Sequence, residues 1–300
     1  MVVALASLLI GTSLQNSAKD RGYITGKFAT PYGDITVYLP NDIAPGDTIT
    51  GTVFIDSRSK DLQEIQVDLG DARGYHPDPK SSRWKWVVPE NAGNGYPLVV
   101  RSKSGNKLGA LRIPISKAPG KLDGFTFPNF VQIGRPAVFW GPFDGDFGTT
   151  KLTLNGSSVS ILAESPRSMV AYIPYDTKVG AENAVLTKDK TEAKTDIRAI
   201  GIELSAPKTD LKQGETTTVS IQVDGIAGLN EATVPFIQVH NLTPSILDLE
   251  GQEVHVLIPT VTKNGTFKKD YKAVSKVSGS FLITTFVEPG PGIAVLPTQK

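Results

Sequence analysis

The stretch "PGDTITGTVFI" (residues 45–55) sets the reading of the fold, and "QGETTTVSIQV" (residues 213–223) repeats its phrasing. Each runs Gly, an acid, Thr, and then a strand of alternating side chains. Gly46 and Gly214 permit a turn that needs φ > 0, the acid and the Thr can hydrogen-bond the turn backbone, and β-branched residues follow. Both stretches read as the entry to an early strand of separate β-sandwich domains.

Working outward, period-two alternation recurs along the chain. Ile35, Val37 and Leu39 alternate with Thr36 and Tyr38, and Ile65, Val67 and Leu69 with Gln66 and Asp68. Leu111, Ile113 and Ile115 flank Arg112 and Pro114, and Val219, Ile221 and Val223 flank Ser220 and Gln222. Each run is short and bounded by Gly, Pro, Asn or Asp, the signature of a half-buried strand. After residue 20 no segment sustains an i, i+3, i+4, i+7 apolar pattern over three turns. The chain therefore reads as all-β, built from tandem immunoglobulin-like β-sandwich modules.

Length agrees, because 300 residues hold two or three sandwiches of roughly 100 residues each. A hydrophobic share of 39% suits sheets with one face in water. With 31 basic and 30 acidic residues spread along the chain, no basic tract supplies the footprint of a nucleic-acid binder. There is no Cys, which excludes disulfides, Cys-ligated zinc, iron–sulfur clusters and thiol nucleophiles. No cofactor is implied.

The apolar run Val2–Ile10, followed by small and polar residues to Ala18, has the length of a signal-peptide core and is too short to span a membrane. Residues 1–20 read as a signal peptide, although nothing basic precedes Val2. Export to the extracellular space, periplasm or cell surface follows, with no membrane span after the signal is removed. Polar stretches then divide the chain into modules at 21–118, 119–198 and 199–288. One boundary is "SKAPGKLDG" (116–124); the other is the strand that restarts after the charged run "TKDKTEAKTD" (187–196). The Pro/Gly-rich tail 289–300 reads as extended or disordered.

The middle module carries a family pattern. Pro128 and Gly134 open it, Gly141–Gly148 form a Gly-rich turn ending in Phe147-Gly148, and Leu152-Thr153-Leu154-Asn155-Gly156 make a hairpin. Ser165–Pro174 supply a later strand. Asn155-Gly156 suits a type I′ turn, and Phe147 can plug the core where Gly148 turns the chain. This arrangement resembles the IPT/TIG type of immunoglobulin-like domain, over about 128–200. The turn "GPFDGDFG" (141–148) is longer and more acidic than the family's and carries Pro142. The resemblance implies a small sandwich used as a spacer or interaction module, not for catalysis. The Gly-acid-Thr entry of the outer modules resembles generic bacterial immunoglobulin-like domains.

Few residues offer chemistry. Of three histidines, His76, His240 and His255, the latter two can fall on neighbouring strands of the last module. No G-x-S-x-G elbow accompanies them. Asp146-Phe147-Gly148 matches a kinase metal triplet but lacks every companion motif. Asp144 and Asp146 are weak calcium candidates, because calcium takes six to eight oxygens and they supply a minority. "SSRWKWVVP" (81–89) puts Trp84 and Trp86 on one face of a strand and Arg83 and Lys85 on the other. Tyr75, His76 and Asp78 lie just upstream. Exposed, these five residues would form a platform for sugar rings; buried, the tryptophans would anchor a sandwich core.

The function expected is that of a non-catalytic exported binding, adhesion or spacer protein, with polysaccharide or another surface protein as partner. Two alternatives stand beside it: an accessory fragment of a secreted hydrolase, and a self-assembling structural subunit.

Overall fold

Gly46 and Gly214 have φ of 81° and 79°, and the turns they make match bond for bond. The carboxylate of Asp47 accepts the Ala44 amide at 2.8 Å, as that of Glu215 accepts the Lys212 amide at 2.9 Å. The Gly46 amide donates to Val88 O and the Val88 amide to Asp47 O; Gly214 and Glu215 exchange the same pair of bonds with Ser275. The strands Thr48–Ser57 and Thr216–Asp224 start from these turns. Acid and glycine together close each turn onto its partner strand, so the repeated phrase is one local structure used twice.

The structure is a computed structural model that describes residues 22–30, 33–57, 65–76, 82–117, 120, 122–146, 148 and 150–299. The proposed signal segment, Asp78 and Phe147 lie outside the described residues. Among the described residues there is no helix, and hence none long and apolar enough to cross a membrane. The chain groups into two compact units. One comprises Met1–Phe125, Val138–Lys151 and Ile161–Ala171; the other comprises Thr126–Ala137, Leu152–Ser160 and Tyr172–Lys300. The sequence segment 119–198 thus contributes to both.

In the first unit, Tyr23–Thr30, Gly33–Pro40, Thr48–Ser57 and Arg83–Val87 pair antiparallel in that order. A four-stranded sheet faces them, ordered Ala72–Arg73, Ile65–Leu69, Tyr96–Ser102 and Lys107–Ile113. The alternating residues read from sequence supply the core between the two sheets. Ile35, Val37 and Leu39 meet Val67, Leu69, Leu111 and Ile113 in one cluster. Each large aliphatic side chain so buried contributes roughly 1.5–3 kcal/mol.

In the second unit, Gly180–Lys188 and Thr191–Ser205 form a hairpin whose turn uses Asp189 at φ 51°. The charged run 187–196 is therefore the tip and outer face of a hairpin. Thr191–Ser205 continues past it. Its first part pairs with Gly180–Lys188, and its last part, Gly201–Ser205, pairs with Thr216–Asp224. One strand of 15 residues thus runs through two strand pairings without a break. Thr216–Asp224 pairs onward with Thr266–Ser275. Val219, Ile221 and Val223 share a core with Ile237, Val239 and Val287, which belong to the sheet of Val254–Leu257, Ile237–Asn241 and Ile283–Val287. The tail differs from a disordered end: Ile293–Val295 and Thr298–Gln299 are strands, and Thr298 and Gln299 pair with Glu192 and Thr191. The chain is an all-β protein built of β-sandwiches.

Candidate functional site

The strand Arg83–Val87 alternates as expected, with both tryptophans on one side and Arg83, Lys85 and Val87 on the other. The tryptophan side is the core. Trp84 and Trp86 are 4% and 1% exposed, and their rings stack at 6.3 Å with 15° between planes. His76 also stacks on Trp84, with ring centroids 4.5 Å apart and 10° between planes. The indole N–H of Trp86 donates to Val67 O at 3.0 Å, across to the opposing sheet. This corrects the reading of the pair as an exposed platform. A sugar needs an open ring face, and these faces are covered by each other, by His76 and by the sheet. Tyr75 alone of the described group is well exposed, at 64%. Its backbone bridges to Lys85 through two hydrogen bonds of 2.8 and 2.9 Å.

Asp144 and Asp146 are also spoken for in ways the sequence does not show. The Asp146 carboxylate holds Lys85 Nζ at 2.8 Å, and that hydrogen bond keeps its pKa below the usual carboxylate value. The amides of Asp144 and Asp146 donate to Oε1 of Glu164, at 3.3 and 3.1 Å. The loop therefore wraps its N–H groups around a carboxylate, the reverse of what a calcium loop does with its oxygens. Among the described residues no three His, Cys, Asp or Glu side chains gather as metal ligands. Phe143, buried and 5.6 Å from Phe125 between ring centroids, packs in the core near this loop.

His240 and His255 do fall on neighbouring strands, but His240 is in register with Val254 and His255 with Val239. Cross-strand partners share a face, so the two imidazoles project to opposite faces of the sheet. His240 bonds Gln238 and His255 bonds the carbonyl of Leu249. They form no pair.

The densest polar chemistry in the first unit was not legible from spacing. Arg167 reaches the 41–47 loop, where Nη1 donates to Asp47 Oδ1 at 3.1 Å and Nη2 to Asp47 Oδ2 and to the Asp42 carbonyl. Nε lies 3.3 Å from Asp42 Oδ2. The hydroxyls of Ser165 and Ser168 donate to the same Asp42 carboxylate. The side chains of Arg167, Asp42 and Asp47 are 9%, 9% and 10% exposed, so this is a buried, bidentate ion pair.

Glu164, beside it, is 0% exposed, and its Oε2 has no hydrogen-bond partner among the described residues. Burial pushes its pKa from 4.5 up to about 7, against the pull of Thr150 and the two loop amides. The folded state therefore holds this proton more tightly than the unfolded chain does. Its contribution to stability is full below about pH 4.5 and is lost as pH rises through 7. A shift of that size corresponds to about 3 kcal/mol. Glu164→Gln cannot ionise, so its melting temperature relative to wild type is expected to climb between pH 4.5 and 7. Thermal melts across that range check this; a difference independent of pH would refute it.

No protein-family model matches the chain, and no curated protein matches it. Among solved structures it is similar to SGBP-B of the Bacteroides ovatus mixed-linkage glucan utilization locus, in complex with a mixed-linkage heptasaccharide. That likeness is 13% identity over 82% of this chain and 73% of that one, with a TM-score of 0.27. It is also similar to FdeC, an Escherichia coli adhesin, at 12% identity over 88% and 96% of the two chains with a TM-score of 0.21. The I9–I11 tandem from titin gives 10% identity over 82% and 93%, with a TM-score of 0.21. None of these likenesses bears on what this chain binds.

Proposed function

We propose that this is a non-catalytic exported protein of tandem β-sandwich modules, with an IPT/TIG-like middle segment, that acts as a stiff spacer or binding module at a cell surface. The observation that carries the reading is the unbroken strand Thr191–Ser205. The sequence places a module boundary near residue 198, yet the strand hydrogen-bonds with one neighbour before that point and with another after it. A shared strand leaves no linker to flex, and a domain joined in this way transmits orientation. A second set of bonds works to the same end. Gln132 Nε2 donates to the Thr285 hydroxyl and its Oε1 accepts the Val287 amide, Arg135 donates to the Thr284 hydroxyl, and Arg198 donates to the carbonyls of Gly225 and Ala227. Limited proteolysis of the native chain should spare 187–205, and protease treatment of intact cells should strip the protein from them. Early cleavage within 187–205 would overturn the stiff join, and protection on intact cells would overturn display at the surface.

One observation favours a second reading, that of a self-assembling subunit. Val254, Val256 and Ile258 are all exposed on or just beyond Val254–Leu257, an edge strand of its sheet. Open apolar edges invite strand pairing between chains. Sedimentation that shifts with protein concentration would support that reading over the first.

A further inference from the structure

In the second unit the hairpin register Leu154↔Ser157 closes on Asn155-Gly156, both at positive φ, 46° and 83°. Asn155 is then fixed by three bonds. Its amide donates to Asn183 O, its Oδ1 accepts the Asn183 amide, and its Nδ2 donates to Glu182 Oε2 at 2.7 Å. Beside this clasp lies a cleft of about 220 Å³, lined by Asn155, Glu182, Asp176, Lys178, Val159 and Pro174 among others. Glu182 is 4% exposed, and among the described residues nothing donates to its Oε1. Burial raises its pKa, opposed only by Lys178. Asn155 holds one oxygen of this carboxylate, and the other is not sealed off as a buried unpartnered atom, so it can accept from a ligand hydroxyl in the cleft.

We infer that this cleft binds a neutral polyhydroxylated ligand, one sugar ring of a saccharide. The inference goes beyond a spacer role and does not depend on it. The volume is below that of pockets for drug-sized ligands and fits one ring, with the open side leaving room for a chain to continue. Hydroxyls both donate and accept: they donate to Glu182 Oε1 and Asp176 and accept from Lys178 Nζ. Val159 and Pro174 offer apolar surface to the C–H face of the ring. A metal cation suits the site poorly, because Lys178 brings its own positive charge and a calcium ion needs six or more oxygens.

Isothermal titration of the full chain with short gluco-, manno-, galacto- and chito-oligosaccharides tests the inference, with sorbitol and calcium chloride as comparison probes. One oligosaccharide series should bind saturably, and Glu182→Gln and Lys178→Ala should each weaken it about tenfold or more. Glu182→Gln keeps the shape that holds Asn155, and Lys178 is exposed, so both variants should melt no lower than wild type. The inference is overturned if no oligosaccharide binds saturably, if Glu182→Gln binds as wild type does, or if calcium chloride binds instead. Any of these would leave the proteolysis test of the spacer reading untouched.

Discussion

Trp86→Ala is expected to cost about 3–5 kcal/mol and to lower the melting temperature by about 10 °C. Three terms add. The indole is among the largest side chains fully buried in the protein, and its removal leaves a cavity between the two sheets of the first unit. The stacked neighbour Trp84 loses a ring contact. The Val67 carbonyl loses the indole N–H, and a buried acceptor left alone costs about 1–3 kcal/mol. Trp86→Phe separates these terms, because it fills most of the cavity and restores ring contact but has no N–H. It should fall about midway. The surrounding backbone is built to the indole: a Cβ on Gly74 would sit 2.0 Å from Val67 O and 2.6 Å from Trp86 Nε1. Gly74→Ala should therefore reproduce part of the Trp86→Ala loss, by driving a methyl group against the Val67 carbonyl and the two indole rings. Denaturant unfolding of the three variants checks this. If Trp86→Ala melted with wild type, the tryptophan would not be a core residue, and the sugar platform would return.

The same residues show where the sequence speaks and where it stops. Spacing by two put Trp84 and Trp86 on one face, and that is a property of any strand. Which face is core depends on the partner sheet, and nothing local to "SSRWKWVVP" encodes it. The Gly-acid-Thr turns were legible because all their chemistry lies within four residues and one partner strand. The Arg167 network was not, because Asp42 and Asp47 are 125 and 120 positions away. From Ile161 to Ala171 burial stops alternating and becomes almost continuous through two strands and the turn between them, a pattern the interleaved sequence "ILAESPRSMVA" does not display. Polar residues inside such a run, here Glu164, Ser165, Arg167 and Ser168, must find partners in the fold. The cleft beside Glu182 was hidden for a related reason: Asn155 had a sufficient local explanation as a turn residue, and its bond to Glu182 joins two hairpins.

Arg167→Ala carries the other large effect, again about 3–5 kcal/mol, for a reason opposite to that of Trp86. Some packing goes with the buried arginine stem, but most of the loss comes from stranding two buried carboxylates. Asp42 and Asp47 are nearly out of water, and the guanidinium meets both of their charges at once. Arg167→Lys should recover only part of the loss, because an ammonium cannot span Asp47 Oδ1 and Oδ2 as a planar fork does. Asp47→Ala alone should also destabilise, since it leaves the arginine half-paired and removes the acceptor of the Ala44 amide. The double variant Arg167→Ala/Asp47→Ala is expected to be more stable than the sum of the single losses predicts, by about 1–3 kcal/mol. Hydrogen exchange locates the effect: in Arg167→Ala the amides of Ala44 and Ser168 should lose protection, while those of Val219 and Ile221 in the second unit keep theirs. Additive losses, or exchange that rises evenly through the chain, would mean that the ion pair does not organise the 41–47 loop.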